Sequence, residues 1–166
     1  YYFSAFNHVW GWAGWRKTWE IYDFTLQNKN EKDFEKNLHY YFDDMNEIRF
    51  WKIMFKKMKY RMIDTWDYQL TISLWLNKAL SIIPNTNLVQ NIGFDANATH
   101  TKKTNLRITE YKGDFILPLK HPDKIVQNKE ADIAHILHYE KRHITTFDYY
   151  RKVFKLKVKT IIKKQL

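Results

Sequence analysis

The sequence has no cysteine, only four glycines and three prolines among 166 residues, and no long hydrophobic run. Without cysteine there is no disulfide bond, no thiolate zinc site and no cysteine nucleophile. The apolar runs are short and interrupted by charge, so we expect neither a membrane-spanning helix nor a signal peptide. The chain also lacks a Ser-His-Asp arrangement, a metal-type histidine spacing and a P-loop. Its length is sufficient for one domain with its own core.

Aromatic residues, in contrast, make up 17% of the chain and include seven tryptophans. A core of this size does not need so many, so we expect some of them to line a groove or an interface. In sugar-binding sites, aromatic rings of this kind pack against the apolar face of a pyranose. The composition therefore favours a saccharide site or an interface with another domain.

The net charge of +10 is distributed unevenly. Residues 147–166 carry seven basic side chains and one acidic one, a net charge of +6, which leaves +4 for residues 1–146. We predict a domain over residues 1–146 and a basic amphipathic tail over residues 147–166. A helical face in the tail is formed by Phe147, Tyr150, Phe154, Val158 and Ile161, although the alternation of lysines with Phe154, Leu156 and Val158 also fits a strand. We favour the helix, since no turn residue interrupts the segment.

The periodicity predicts an α/β chain that is mostly helical and has a few short strands. Residues 1–13 are expected as strand or loop, and two short apolar runs at residues 80–83 and 86–89, separated by Pro84-Asn85, predict a strand, a turn and a strand. Helical spacing returns weakly over residues 125–137. Four earlier helices are predicted: one with Trp12, Trp15, Trp19 and Tyr22, ended by residues 28–30; one with Phe34, Leu38, Tyr41 and Phe42; one starting near Asp44; and one starting at Asp64 or Thr65 and ending near Ala79.

Residues 10–16, Trp-Gly-Trp-Ala-Gly-Trp-Arg, form the first segment that could carry chemistry. Glycine allows a backbone to approach a ligand closely, and the N–H groups at the start of a following helix would favour a diphosphate. Arg16 could add a bidentate contact to a phosphate. The alternative is a tight turn whose tryptophans pack inward.

The second segment, residues 63–69, places Asp67 in the first turn of a predicted helix. An acid at this position commonly stabilises the helix terminus alone. The functional alternative is a general base that removes a proton from an acceptor hydroxyl, which needs a fixed position within hydrogen-bond reach of the substrate.

The third segment concentrates amides and hydroxyls in a predicted loop, with Asn91 and Gly93 followed by Thr99 and His100. Side chains of this kind contact sugar hydroxyls or phosphate oxygens. A single loop histidine, however, is more often a surface residue than a ligand.

In order and spacing, these segments resemble the C-terminal half of bacterial nucleotide-diphospho-sugar transferases with a GT-A fold, some of which are described as haemolytic-protein-like. Family members carry Trp-Gly-Trp-Ala-x-Trp-[Arg/Lys]-Arg-x-Trp, which residues 10–19 match with Gly14 and Lys17 as variants. They carry Thr-Trp-[Asp/Glu]-x-Gln, matched by residues 65–69, and Pro-x-x-Asn-Leu-[Val/Ile]-x-Asn-Ile-Gly-Phe, matched by residues 84–94. Ala-Thr-His-Thr follows at residues 98–101. A fainter likeness exists to the eukaryotic N-acetylglucosaminyltransferases that start complex N-glycans.

The resemblance implies the acceptor-side half of a glycosyltransferase that transfers a sugar from a nucleotide-sugar donor to a saccharide or lipid-linked acceptor hydroxyl. The reaction would be inverting, with Asp67 as the base, the loop at Gly11 beside the donor diphosphate, and His100 near the diphosphate or a metal. Contacts to donor or acceptor are implied for Gly11, Trp12, Gly14, Trp15, Arg16, Trp66, Gln69, Asn91, Gly93, Thr99 and His100.

The resemblance also implies a partner, an N-terminal nucleotide-binding half. No Asp-x-Asp motif occurs in the chain, so the ligands of the expected Mn²⁺ or Mg²⁺ would lie mostly in that half, and His100 is a further candidate. Because the chain opens directly with Tyr1-Tyr2-Phe3, we expect a fragment of a longer protein that has little activity alone; processing is the alternative.

Two other functions stay open. The chain could be a basic aromatic module that binds an anionic membrane or nucleic acid, or a remnant without catalysis. The charge supports a binding module, but it is concentrated in the tail, away from the ordered motifs. We therefore expect no nucleic acid partner. We expect a cytoplasmic enzyme whose basic end allows peripheral attachment to the inner membrane face.

Overall fold

The computed structural model describes residues 1–89, 117–140 and 143–165, with their side chains except at residues 139–140 and 163–165. Within these ranges the chain is mostly helical with two short antiparallel strands, which confirms the predicted mixture of α and β structure. The elements are β1 (Tyr2–Ser4), α1 (Arg16–Glu20), α2 (Glu31–Tyr41), α3 (Met45–Lys59), α4 (Asp67–Leu76), β2 (Ser81–Ile83), α5 (Lys129–His135), a π-helical turn (Ile136–Glu140) and α6 (Thr146–Gln165).

Helices α2 and α3 begin at side-chain caps. The Asn30 side chain accepts a hydrogen bond from the Lys32 amide at 2.8 Å, and Asp44 accepts one from the Asn46 amide at the same distance. Each cap satisfies an amide that has no partner within its helix. The predicted start near Asp44 is therefore confirmed, whereas the predicted end of the first helix at residues 28–30 is wrong, since α1 ends at Glu20 and Asn30 begins α2.

Helices α2, α3 and α4 pack around one buried tryptophan. The Trp75 ring is fully buried and contacts the Trp51 ring edge-on, with centroids 4.4 Å apart. Its indole N–H donates to the Ala5 carbonyl at 2.7 Å, so its polar atom has a partner inside the core. Because Ala5 follows β1, this bond attaches the N-terminal strand to the helices. Other aromatic rings against Trp75 belong to Phe6, Phe34, Tyr41 and Phe42.

Of the strand, turn and strand predicted at residues 80–89, the first strand is confirmed as β2, whereas the second is wrong because residues 86–89 form no strand. Strand β2 pairs instead with β1, antiparallel, in a register that places Tyr2 opposite Ile83 and Ser4 opposite Ser81. Pro84 has no N–H to donate and ends β2. Beyond it the chain bends, and the Val89 amide donates to the Asn87 side chain at 3.1 Å. This local hydrogen bond replaces the ladder that a second strand would need.

The first helix is shorter than its aromatic spacing predicts. Helix α1 has five residues and starts after Trp15, whose side chain makes no cap. None of its residues is buried, so no tertiary packing supports a longer helix. Gly11, which precedes α1, has a positive φ of 59° and so cannot belong to a right-handed helix. The tryptophans that suggested a buried helical face therefore belong to a loop and a single turn.

Helix α5 and the π-helical turn cover the weakly helical region predicted at residues 125–137. The Asn128 side chain caps α5 by accepting from the Ala131 amide at 3.0 Å. The Asn128 amide in turn donates to the Phe3 carbonyl at 2.7 Å, which fixes the start of α5 beside β1.

Helix α6 confirms the helical prediction for the basic end. It begins where the Thr145 hydroxyl accepts from the Asp148 amide at 3.1 Å, an N-cap arrangement. One face packs on α3, where Leu156 contributes to a small core cluster with Ile53 and Ile144. The boundary between a domain and a tail at residue 146 stays a prediction. In the described part of the chain, no helix combines the length and the apolar character needed to cross a bilayer.

Candidate functional site

The aromatic side chains of the first two motifs meet on the surface of the chain. The Trp12 and Trp66 rings are stacked, with centroids 5.6 Å apart and an interplanar angle of 24°. Trp19 lies 5.8 Å from Trp12 and 5.6 Å from Tyr22, so the four rings are contiguous. We call Trp12, Trp19, Tyr22 and Trp66 the aromatic shelf. About half of Trp19 and of Trp66 is exposed (47% and 42%), which leaves apolar ring surface open to a ligand.

The loop at residues 10–15 lies beside the start of the third motif. A Cβ built on Gly11 would lie 2.6 Å from Cγ2 of Val89, so only glycine fits here without movement, and its positive φ strengthens the requirement. Gly14 is packed against the shelf, since a Cβ there would lie 3.1 Å from Cζ3 of Trp12. The absence of a side chain thus allows the backbone at Gly11 to approach Val89 and the backbone at Gly14 to approach the Trp12 ring.

The remaining residues of this loop are open to solvent. Trp15 is 70% exposed and Arg16 is exposed, so the expected inward packing of tryptophans does not occur at this position. Helix α1, with five residues, is too short for its amino end to act as an anion site through a helix dipole. The expectation of a diphosphate held by a helix N-terminus after Gly14 is therefore not supported. Arg16 stays a predicted phosphate contact.

Asp67 is the first residue of α4, in the helical turn predicted for it. The sequence prediction of a helix start at Asp64 or Thr65 is two or three residues early, because the Thr65 hydroxyl donates to the Asp67 carboxylate. The same carboxylate oxygen, Oδ1, accepts the Tyr68 amide at 2.8 Å. The carboxylate is therefore oriented through Oδ1, and Oδ2 has no donor within the described residues.

Tyr22 connects the shelf to this carboxylate. Burial raises the pKa of Tyr22, and the negative charges of Asp67 and Asp23 raise it further. The phenol therefore stays protonated at neutral pH and keeps its hydrogen-bond donor. Its hydroxyl donates to the Trp66 carbonyl at 3.4 Å, which attaches the residue to the turn before α4.

Gln69 lies beneath the site rather than in it. Its side chain is 4% exposed, and its Nε2 donates to the Thr65 carbonyl at 2.6 Å. This bond holds the turn from which Thr65 contacts Asp67. We therefore assign Gln69 to the support of the Asp67 turn and not to direct contact with a ligand.

The other predicted site residues, Asn91, Gly93, Thr99 and His100, lie outside the described residues. Within the described ranges, no three histidine or acidic side chains are grouped as metal ligands would be. His100, the metal candidate, is not among the residues to which that observation applies.

Sequence reasoning missed Trp19 and Tyr22 as members of the site, whereas Val89 belongs to the matched residues 84–94. The spacing of Trp12, Trp15, Trp19 and Tyr22 was a usable signal, but it was interpreted as the buried face of a helix. That the rings form an exposed shelf depends on contact with Trp66, 54 positions after Trp12 in the sequence. No protein-family model matches the chain, and neither a curated protein nor a solved structure is significantly similar to it.

Proposed function

We propose that the chain is the acceptor-side half of a GT-A-type glycosyltransferase, which transfers a sugar from a nucleotide-sugar donor to a hydroxyl of a saccharide or lipid-linked acceptor. The observation that carries the proposal is the stacking of Trp12 on Trp66. It joins two motifs of the resemblance on one surface, next to the residue that the resemblance makes the base. Contact of Gly11 with Val89 brings the start of the third motif to the same loop.

The shelf suits a saccharide acceptor. Stacked and tilted indoles offer wide, rigid apolar faces on which a pyranose ring can pack its C–H groups, and little side-chain entropy is lost on binding. Polar groups at the edge of such a surface fix the orientation of the sugar. The Asp67 carboxylate supplies an acceptor of this kind, and the oxygen of the Tyr22 phenol, whose proton is donated to the Trp66 carbonyl, can accept as well.

In the proposed reaction, Asp67 accepts the proton of the acceptor hydroxyl through Oδ2. The hydroxyl oxygen attacks the anomeric carbon as the bond from that carbon to the nucleoside diphosphate breaks, which inverts the configuration. The Thr65 hydroxyl and the Tyr68 amide hold Oδ1, so the base is positioned before substrate arrives. The nucleotide, and the Mn²⁺ or Mg²⁺ that neutralises its diphosphate, are assigned to an N-terminal partner half, with His100 as a further metal candidate.

Saccharide binding tests the shelf directly. A panel of mono- and disaccharides is screened against the 166-residue chain by saturation-transfer NMR, and the affinity of each hit is then measured for Trp12→Ala and Trp66→Ala. Loss of one stacking ring should weaken binding by about tenfold. Phe147→Ala, which removes an exposed aromatic ring from α6, is the control and should bind as the parent does.

Sugar transfer is measured with the complete product of the gene. Nucleotide release from UDP-, GDP-, dTDP- and CMP-sugars is followed with and without each saccharide hit. Acceptor-dependent release that Trp12→Ala reduces supports the proposal. Saccharide binding without any nucleotide release would favour a binding module or a remnant. Saccharide affinities that are unchanged in Trp12→Ala and Trp66→Ala would show that the aromatic shelf is not the binding site.

A further inference from the structure

Helix α6 has two apolar faces, of which only one is covered. The covered face packs on α3, where Leu156 is 8% exposed and Tyr149 is partly buried against the same cluster. Arg49 of α3 fixes the start of this packing by donating to the Ile144 carbonyl at 3.0 Å and to the Thr146 hydroxyl at 2.8 Å. The helix is therefore held on the body of the protein by one side.

The opposite side of α6 carries an apolar stripe that no described residue of the chain covers. Residues spaced by three and four positions share one face of a helix, and α6, with 20 residues, is about 30 Å long. We call the following residues the α6 stripe: Phe147 (76% exposed), Tyr150 (65%), Phe154 (68%), Val158 (38%) and Ile161 (58%). These side chains cover most of the length of the helix.

Basic side chains flank this stripe on both sides. At 100° per residue, Arg151 and Lys155 lie along one edge of the stripe and Lys157 along the other, and all three are exposed. Over its whole length the segment has seven basic residues and one acidic residue, Asp148. The acid is at the amino end, where its pairing with Arg151 at 3.1 Å reduces the positive charge of the first turn and leaves Lys155 and Lys157 at the edges beyond it.

We propose that α6 is an interfacial helix that docks the protein on an anionic lipid surface. The α6 stripe inserts between the headgroups, the covered face stays on α3, and the flanking lysines extend to the lipid phosphates. A surface helix with aromatic and aliphatic residues on one side and lysines at its edges matches the boundary between acyl chains and anionic headgroups in both polarity and charge. This inference is independent of the proposed function.

Two other occupants fit less well. A second copy of the chain would bring two segments of net charge +6 together, and their repulsion opposes pairing through this face. A nucleic acid would neutralise the lysines, but its phosphates would leave Phe147, Phe154 and Ile161 uncovered. Of the three occupants, only an anionic lipid surface is both anionic and apolar and so covers the whole surface.

Vesicle co-sedimentation tests the proposal. The 166-residue chain is mixed with vesicles of phosphatidylcholine alone or with 30% phosphatidylserine, a composition chosen to give a strong negative surface. We expect partitioning at least about tenfold stronger on the anionic vesicles. Equal binding to both compositions, or none to either, overturns the proposal.

Matched variants separate the electrostatic part of lipid binding, assigned to the lysines, from the apolar part, assigned to the α6 stripe. Lys155→Gln with Lys157→Gln should weaken anionic binding about tenfold or more, whereas Lys32→Gln with Lys36→Gln, the same charge change on exposed positions of α2, should have little effect. Phe154→Ser should weaken binding about tenfold, and Phe24→Ser, at a 53% exposed position elsewhere, should not. Circular dichroism verifies that each variant is folded.

The pattern of losses distinguishes lipid from other anions. If the control lysines matter as much as those of α6, the attraction is diffuse and the proposal fails. If an oligonucleotide binds through Lys155 and Lys157 with no effect of Phe154→Ser, the surface is a nucleic acid site instead. Binding that partly persists at high salt supports insertion of the apolar stripe, because salt screens only the charged contacts.

Discussion

The Ser4 hydroxyl donates to the Asp132 carboxylate at 2.5 Å, across 128 positions of the sequence. Asp132 is 2% exposed, and its other oxygen accepts the Ala5 amide at 3.0 Å and the Gln127 side-chain amide at 2.8 Å. A buried carboxylate requires donors of this kind, since an unpaired one is strongly unfavourable in an apolar environment. These bonds fasten α5 to β1, and through Ala5 and Trp75 they connect it to the helical core.

Asp132→Ala should therefore lower the free energy of unfolding by about 2–4 kcal/mol, because the buried Ser4 hydroxyl and Ala5 amide and the partly buried Gln127 amide lose their acceptor. Urea denaturation followed by tryptophan fluorescence measures the change. Asp123→Ala removes a carboxylate from an exposed position and should change stability by less than about 0.5 kcal/mol. Equal stabilities of the two variants would show that the Asp132 bonds contribute nothing net.

A second carboxylate determines a local backbone conformation. Leu26 is fully buried although its φ is 53°, a region that side chains other than glycine rarely adopt. Asp23 Oδ1 accepts the Thr25 hydroxyl and the amides of Thr25 and Leu26, each at 2.9 Å. Partial burial would raise the pKa of Asp23, but the hydrogen bonds from Leu26 and Thr25, assisted by the charge of Lys29, hold it below its usual value.

This lowered pKa predicts a pH dependence of stability. A carboxyl whose folded pKa is depressed stabilises the protein above its unfolded pKa, about 3.9, and this contribution is lost as pH falls through the folded pKa. Asp23→Asn should therefore be less stable than the parent by about 1 kcal/mol at pH 7. The difference should shrink as the pH falls below about 4.

Denaturant unfolding at pH 7, 5, 4 and 3 measures the difference at each pH. Asp123→Asn is the control and should follow the parent at every pH. A deficit of Asp23→Asn that stays constant from pH 7 to pH 3 would mean that the negative charge of Asp23 is not the cause.

Local signals made part of this fold predictable. The caps Asn30 and Asp44 act within three residues of their own helices, so a polar residue before an apolar helical pattern was enough to place α2 and α3. The pairing of β1 with β2 has no local signal, since each strand has three residues and the partners lie about 80 positions apart. The apolar run after Pro84 instead suggested a second strand at residues 86–89, which does not form.

The candidate site divides in the same way. The position of Asp67 at a helix start follows from the neighbouring residues in the sequence. The orientation of its carboxylate does not, because it depends on the turn before α4, where the Thr65 hydroxyl donates to Asp67 instead of capping the helix. That Trp12 is stacked on Trp66 depends on tertiary packing alone. The sequence motifs therefore identified Trp12, Trp66 and Asp67 as site residues, whereas the assembly of the aromatic shelf could be seen only in the structure.

Gly11→Ala should disturb the loop that carries Trp12. The new Cβ would lie 2.6 Å from Val89 Cγ2, and the backbone would be held at a φ of 59°. Strain and overlap together should lower the free energy of unfolding by about 1–3 kcal/mol. Denaturant unfolding of Gly11→Ala and of the parent measures this loss. Saccharide binding should also weaken, because the Trp12 ring would shift.

Val89→Ala provides the matched test of cause. It removes the two methyl carbons that the new Cβ would meet, so the double variant should recover the part of the loss that comes from overlap, while the part due to φ remains. A fully additive double variant would show that Gly11 and Val89 do not interact.

Asp67→Asn tests the proposed base in the complete gene product. Asparagine keeps the shape and an oxygen that can accept from Thr65 and from the Tyr68 amide, but it cannot take a proton from an acceptor hydroxyl. Loss of a general base should lower kcat by about 10²- to 10⁴-fold, while the KM for the nucleotide sugar stays within a factor of about two to three. Asp64→Asn, at an exposed position three residues earlier, should retain the parent activity. Transfer at the parent rate by Asp67→Asn would assign the carboxylate to the start of α4 alone, where it accepts from Thr65 and interacts favourably with the positive end of the helix.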